Sequence, residues 1–425
     1  MSSRLLGYRG QAAKLLQRFN LSVGDYITIK SDLSHTGVLM PRYHYSDDAH
    51  IILKLDNGYN VGISIQNVDT ITRHDVMVSP ENDVPPPQAD AGLPNILLLS
   101  TGGTIASRVD YRTGAVTPTL DAADLSQSVP ELYGMANIHP QEILSEYSEN
   151  ITPEHWLKIA THIHNTGSRY DGIVVAHGTD TMHYTSTFLS FALAGFPVPI
   201  ILTGSQRSSD RASSDATLNL IGAVLAISHS IQRGVYIAMH SGTSDDTVSI
   251  HAGTRVRKNH TSSRSAFRTI GGEPLYMIKE GRLHGQPRHD YYHDISYTPR
   301  INQVRDASLI KYHPGFDVSI LENLIGSSCR AVIFEGTGLG HVGREAYDVI
   351  KKMRQNRMFV GMTSQCIDGR VGMNVYESGR DLLQMGVVPL HDMLSEVALV
   401  KMMWVLGNEL SWDVMSRPMA SEMAV

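Results

Sequence analysis

The stretch ILLLSTGGTIAS, residues 96–107, joins an uninterrupted aliphatic run to a loop in which two glycines are flanked by threonines. Four aliphatic residues in a row suit a strand buried on both faces, the environment of a parallel sheet covered by helices. Such sheets bind ligands where loops leave the carboxyl ends of their strands, and TGGT occupies that place. Outward from it the pattern recurs at IVVA (173–176), PIILTG (199–204), VYIAM (235–239), AVIFEG (331–336) and MFVGMT (358–363). Helical patterns separate several of these runs. Thr152, Pro153 and Glu154 supply a cap, a first-turn proline and a first-turn acid, and Trp156, Ile159, Ala160 and Ile163 then share one helix face. Strands alternating with helices predict an α/β fold built on a parallel sheet.

Glycine loops that open a helix can cradle phosphate. The phosphate-binding pattern GxxxxGK[ST] is nevertheless missing, and the TGGT loop has no lysine to meet a phosphate. A hydroxyl nucleophile explains more. Two other strand ends, VVAHGTDTMHYT (174–185) and ILTGSQRSSDRASSD (201–215), also finish in glycine-containing loops rich in hydroxyls. A threonine hydroxyl attacks a carbonyl only when a base or a second hydroxyl takes its proton and donors receive the oxyanion. HGTD offers Thr179 beside Asp180, and RVRKNHTSSRSAF offers Lys258 as the third member of a Thr–Asp–Lys group.

The first part of the chain has another texture. DYITIK (25–30), TGVLMPRY (36–43), HIILKLDNGYNVGISI (50–65) and NVDTITRH (67–74) are short β-branched runs at close spacing. Asp56-Asn57-Gly58 is the chemistry of a tight hairpin turn, so a small antiparallel barrel of SH3-like size is expected over residues 1–77. The Pro-rich, acidic segment 78–93 reads as a tether. The remainder divides at about residue 300, into 94–300 and 301–425.

With 425 residues, 42% of them hydrophobic, the chain can form two or three packed domains. No apolar run approaches the roughly 20 residues of a membrane span, and the N-terminus lacks a secretory apolar segment, so a cytoplasmic protein without membrane contact is expected. Cys329 and Cys366, the two cysteines, suggest neither a disulfide framework nor a zinc site. A net charge of −6 does not mark an independent nucleic-acid binder. Residues 1–20 and 255–268 are local exceptions, rich in Lys and Arg and free of acids. The Met- and Trp-bearing stripe of DMLSEVALVKMMWVLG (392–407) reads as core or subunit interface.

TGGTIAS followed by Tyr111, then HGTDT, RVRKNHTSSRSAF and EGTGLGHV, resemble the bacterial-type L-asparaginase/glutaminase family over roughly residues 94–425. The added N-terminal ninety residues and the wording GTRVRKNHTSSRSAF resemble, within that family, the D-subunit family of archaeal glutamyl-tRNA(Gln) amidotransferases, which work with a separate E subunit. The resemblance implies a two-domain asparaginase-like core behind the barrel. It implies Thr104 as nucleophile with Tyr111 as hydroxyl neighbour, and Thr179, Asp180 and Lys258 as a second catalytic set. Asp180 would also hold the substrate's α-ammonium and Ser148 its α-carboxylate, with Gly103, Gly178 and Glu149 beside the substrate. Glu149 stands where many asparaginases have glutamine. The implied reaction releases ammonia from Gln or Asn with no metal or organic cofactor in this chain. ATP and Mg2+ would belong to the E subunit, which mainly carries Glu-tRNA(Gln), and the assembly would hold a homodimer within a heterotetramer. A free cytoplasmic L-asparaginase and a non-catalytic scaffold of the same fold are the alternatives.

Overall fold

The computed structural model describes residues 5, 7–31, 33–40, 42, 47–55, 60–74, 89–103, 107–110, 115–118, 122–127, 129–207, 214–242, 244–285 and 295–424. Helix α1 (Gly10–Arg18) precedes strands β1 (Tyr26–Lys30), β2 (Ser34–Leu39), β3 (His50–Leu55), β4 (Asn60–Ser64) and β5 (Thr70–Arg73). These make a five-stranded antiparallel sheet of order β4-β3-β2-β1-β5, in which β1 bridges the first hairpin and the last strand. Alternation puts Ile27, Ile29, Leu39, Ile51 and Leu53 inside, where Leu16 of α1 joins them. The expected turn Asp56-Asn57-Gly58 lies outside the described residues, but β3 and β4 on either side of it pair in antiparallel register. Most of the 78–93 segment also lies outside them.

The next unit is an eight-stranded sheet. Its members are β6 (Asn95–Gly102), β9 (Asn137–Glu146), β10 (Gly172–Ala176), β11 (Ile200–Thr203), β12 (Val235–His240), β13 (Thr247–Ala252), β16 (Tyr276–Lys279) and β17 (Arg282–His284), in the order β17-β16-β13-β12-β11-β10-β6-β9. The small ribbons β7 (Ser107–Asp110) with β8 (Ala115–Pro118), and β14 (Val256–Lys258) with β15 (Phe267–Thr269), stand apart from it. Helices α2 (Ala122–Gln127), α3 (Pro153–Thr166), α4 (Met182–Ala192) and α5 (Ala216–Ser228) connect the parallel strands. Helix α3 begins where Thr152 and Pro153 predict, with a capping box closed by His155, and buries Trp156, Ile159, Ala160 and Ile163.

The sheet is mixed rather than wholly parallel. Strands β9, β6, β10, β11 and β12 run parallel, whereas β13, β16 and β17 are antiparallel. The reason is local: the few residues between His240 and Thr247 cannot hold the crossover that a parallel neighbour requires.

The last unit has a four-stranded parallel sheet of β18 (Ala307–Lys311), β19 (Ala331–Gly336), β20 (Phe359–Ser364) and β21 (Val388–Pro389), with α6 (Ser319–Ile325), α7 (Tyr347–Gln355), α8 (Glu377–Gln384) and α9 (Ser395–Gly407). Helix α9 is apolar around its circumference and buried nearly throughout, so the Met and Trp stripe is core. It packs on α4, with Trp404 stacked on Phe191 at 5.6 Å between ring centroids, and so joins the two α/β units. Among the described residues no helix is long and apolar enough to cross a membrane.

Candidate active site

Three loops meet at the carboxyl ends of β6, β9 and β10, and glycines let them meet. Gly102 and Gly103 have φ of 95° and 81°, a region that disfavours side chains. A Cβ on Gly102 would lie 2.5 Å from the Glu146 nitrogen, one on Gly103 2.3 Å from the Gly178 nitrogen, and one on Gly178 2.6 Å from Cβ of Ser148. Backbone is therefore packed on backbone. Thr101 ties β6 to β10, donating its hydroxyl to the Ala176 carbonyl at 3.0 Å.

His177 braces the loop that follows β10. Its fully buried ring lies 2.7 Å from the Gly178 carbonyl through Nδ1 and 2.9 Å from the Thr185 hydroxyl through Nε2. A carbonyl can only accept, so Nδ1 carries the proton and Nε2 accepts from Thr185. Burial holds this imidazole at a pKa of about 4, hence neutral. The loop it braces presents Thr179 and Asp180 just before α4. Ser148 is buried next to them: its hydroxyl accepts the Asp180 N–H at 3.3 Å, and its carbonyl accepts the Thr181 hydroxyl at 2.6 Å.

Lys258 arrives from the end of β14. Its Nζ donates to Thr179 Oγ1 at 2.9 Å and to Asp180 Oδ1 at 2.6 Å. The lysine side chain is 11% exposed, whereas that of Asp180 is 64% exposed. An ion pair with one partner so open to water contributes little stability, generally under about 1 kcal/mol. The geometry instead favours chemistry. A lysine amine within hydrogen-bond reach of a threonine hydroxyl can take that hydroxyl's proton once it has lost its own, and the neighbouring carboxylate is left open to a cationic group from solvent.

A cleft of about 380 Å³ opens beside this group, lined by Asp180, His183, Tyr184, Arg257, Lys258, Asn259, His260, Thr261 and Glu396. Burial, reinforced by the charges of Arg257 and Lys258, holds His183 at about 4, and burial raises the Tyr184 hydroxyl above its usual range. Among the described residues no three His, Cys, Asp or Glu side chains are grouped as a metal site.

The structure thus brings Gly103, Ser148, Gly178, Thr179, Asp180 and Lys258 into one locality. Glu149 is an exposed neighbour of Ser148 in the turn Ser148–Asn150. Thr104 and Tyr111 lie outside the described residues. Sequence reasoning passed over Glu396, Arg257 and His183. The local signal for Arg257 was its adjacency to Lys258, but nothing nearby in the chain marks its partner Glu396, 139 positions away from it.

Residues 21–73 match the family described as the GatD N-terminal domain, residues 95–290 that described as Asparaginase, N-terminal, and residues 307–419 the Glutaminase/Asparaginase C-terminal domain. The chain is 43% identical to the D subunit of the glutamyl-tRNA(Gln) amidotransferase of Sulfurisphaera tokodaii, covering 96% of this chain and 92% of the relative. It is 41% identical to the protein of the same name from Methanothermobacter thermautotrophicus, covering 98% and 97%. Among solved structures it is similar to the thermostable L-asparaginase from Thermococcus kodakarensis, at 31% identity and a TM-score of 0.69 over 78% of this chain and 99% of that one. With relatives of this kind spanning nearly its whole length, barrel included, the chain belongs to the D-subunit family of glutamyl-tRNA(Gln) amidotransferases.

Proposed function

We propose that this chain is the amide-hydrolysing subunit of a tRNA-dependent amidotransferase: it releases ammonia from glutamine, or asparagine, for a partner subunit that converts Glu-tRNA(Gln) to Gln-tRNA(Gln). The observation that carries the reading is the Lys258–Thr179–Asp180 contact at the same strand ends as the TGGT loop. Gly103, which precedes Thr104 in the chain, abuts Gly178, which precedes Thr179. Thr104 is the nucleophile of this proposal and Tyr111 its hydroxyl neighbour; Thr179 and Lys258 move the proton. Attack on the side-chain amide forms an acyl-enzyme as the amide C–N bond breaks and ammonia leaves with that proton, and water then releases glutamate or aspartate. Asp180 receives the substrate's α-ammonium, and Ser148, with Glu149, Gly103 and Gly178 around it, receives the α-carboxylate.

The relatives are each named as one lettered subunit of an amidotransferase, which implies a partner. We assign to an E subunit the ATP, the Mg2+ and most contacts to Glu-tRNA(Gln), in a cytoplasmic heterotetramer built on a homodimer of this chain. The free-asparaginase alternative is disfavoured by the N-terminal match, which the asparaginase families do not include. Residues 1–77, joined through 78–93 to the units 94–300 and 301–425, then serve the complex rather than the chemistry. The test is ammonia release from glutamine and from asparagine by this chain alone, with its partner, and with partner plus Glu-tRNA(Gln). Turnover stimulated by partner and charged tRNA supports the subunit reading. Full asparaginase turnover by the isolated chain, unaltered by either, refutes it.

A further inference from the structure

The strand that carries Lys258 is outside the main sheet. Among the described residues strand β14 pairs only with β15, three residues on three, in the register Val256↔Thr269, Arg257↔Arg268, Lys258↔Phe267. A two-stranded ribbon of that length has little rigidity of its own, so the lysine's position must be fixed by something else. Val256 and Phe267 seat the ribbon on the core and Thr269 contacts His251 of β13, while the charged groups of the ribbon are tied to the C-terminal unit. Arg255 Nη2 donates to Asp392 Oδ2 at 2.8 Å and its Nη1 to the Asp392 carbonyl at 3.1 Å, while Arg257 Nε forms an ion pair with Glu396 Oε1 at 3.0 Å. Asp392 follows β21, and Glu396 is in the first turn of α9.

Glu396 is the less expected of the two. It is a carboxylate only 5% exposed, whose burial costs several kcal/mol unless a cation and the helix N-terminus compensate. Arg257 is that cation. Two other titratable groups face it: His183, 3.7 Å away through Nε2 and kept neutral by burial, and Tyr184, whose hydroxyl burial and the Glu396 charge hold above its usual range. Glu396 also lines the cleft shared by Lys258 and Asp180. We propose that Glu396 is a positioning residue for Lys258: through Arg257 it pins the end of β14 to the first turn of α9, and so holds the lysine amine against Thr179 and Asp180. The proposal rests on the reading that Lys258 takes part in amide hydrolysis.

The test is steady-state glutaminase kinetics of the full chain in complex with its partner and Glu-tRNA(Gln). Glu396→Gln keeps shape and removes the charge; its expected effect is a fall in kcat of about tenfold or more with KM for glutamine within about threefold. Arg257→Gln leaves Glu396 without its cation, so its kcat is measured on the folded fraction, and it should lose the same amount. Arg257→Lys should recover part of it, and the double variant Glu396→Gln/Arg257→Gln should be no worse than either single one, because the two residues act as a unit. A purely structural role would lower melting temperature while leaving kcat of the folded fraction intact, which overturns the proposal, as do additive losses or a change confined to KM. Lys258→Met in the same assay separates the two ideas. If it stays active, the catalytic reading itself fails; if it is dead while the Glu396 and Arg257 variants are silent, only the positioning role fails.

Discussion

Gly103 lies against the backbone of Gly178: a methyl group on Gly103 would sit 2.3 Å from the Gly178 nitrogen and 2.4 Å from its Cα, at a φ of 81° that side chains rarely adopt. The neighbour is main chain with no rotamer to yield, so Gly103→Ala must displace one loop. Turnover in Gly103→Ala is expected to fall by about two orders of magnitude or more, since small displacements of positioned groups carry such losses. Activity within a factor of a few of wild type would show that the two loops separate freely.

Lys258, Thr179 and Asp180 share hydrogen bonds, and their variants should behave as one unit. Lys258→Met and Thr179→Val are each expected to lower kcat by at least about a hundredfold, with the double variant little worse. Cleanly additive losses in activation free energy would assign them separate tasks.

The C-terminal tail is anchored by a wholly buried ion pair. Lys401 Nζ donates to Glu422 Oε1 at 2.5 Å and to the Arg417 carbonyl at 2.7 Å, and the same carboxylate accepts the Met419 and Ala420 N–H groups. Burial pulls Lys401 below its ordinary pKa, against the opposing pull of Glu422. Glu422→Ala leaves the ammonium unpaired and should destabilise the protein by about 3–5 kcal/mol in denaturant unfolding. Adding Lys401→Met to Glu422→Gln should restore much of that stability, because the charge and its partner are removed together.

Buried histidines set an acid limit on stability, and three of them carry the largest shifts. Burial holds His177, His183 and His251 at about 4, against roughly 6.5 in an unfolded chain. Between those values the unfolded state binds more protons, so stability is complete above about pH 6.5 and falls as pH drops toward 4. The slope from these groups can reach about three protons, or about 4 kcal/mol per pH unit. Unfolding free energies measured from pH 7.5 to 4.5 should show the fall, and His251→Asn should remove about one proton from it. A flat profile across this window would mean that these rings take up protons while folded.

Sequence by itself determined the elements whose signals are local. The aliphatic run 96–99 marked β6, Thr152-Pro153 marked the start of α3, and alternation over 25–74 marked the barrel strands, because burial on two faces, helix capping and pleating each act over a few residues. It also marked the loops TGGT, HGTD and RKNH as candidates through the chemistry of their side chains. Tertiary structure alone decided what meets what. That Gly103 touches Gly178, that Ser148 lies under Asp180, and that Lys258 reaches Thr179 across 79 positions of chain are results of strand order. The turn to antiparallel pairing after β12 was equally hidden, since an apolar strand does not reveal its neighbour's direction. Arg257 and Glu396 show the same limit from the other side. In the chain they are a cation in a basic run and an acid at the head of an apolar helix, and only the folded molecule pairs the half-buried cation with the buried acid, since burial and its electrostatic cost do not exist until the two units pack.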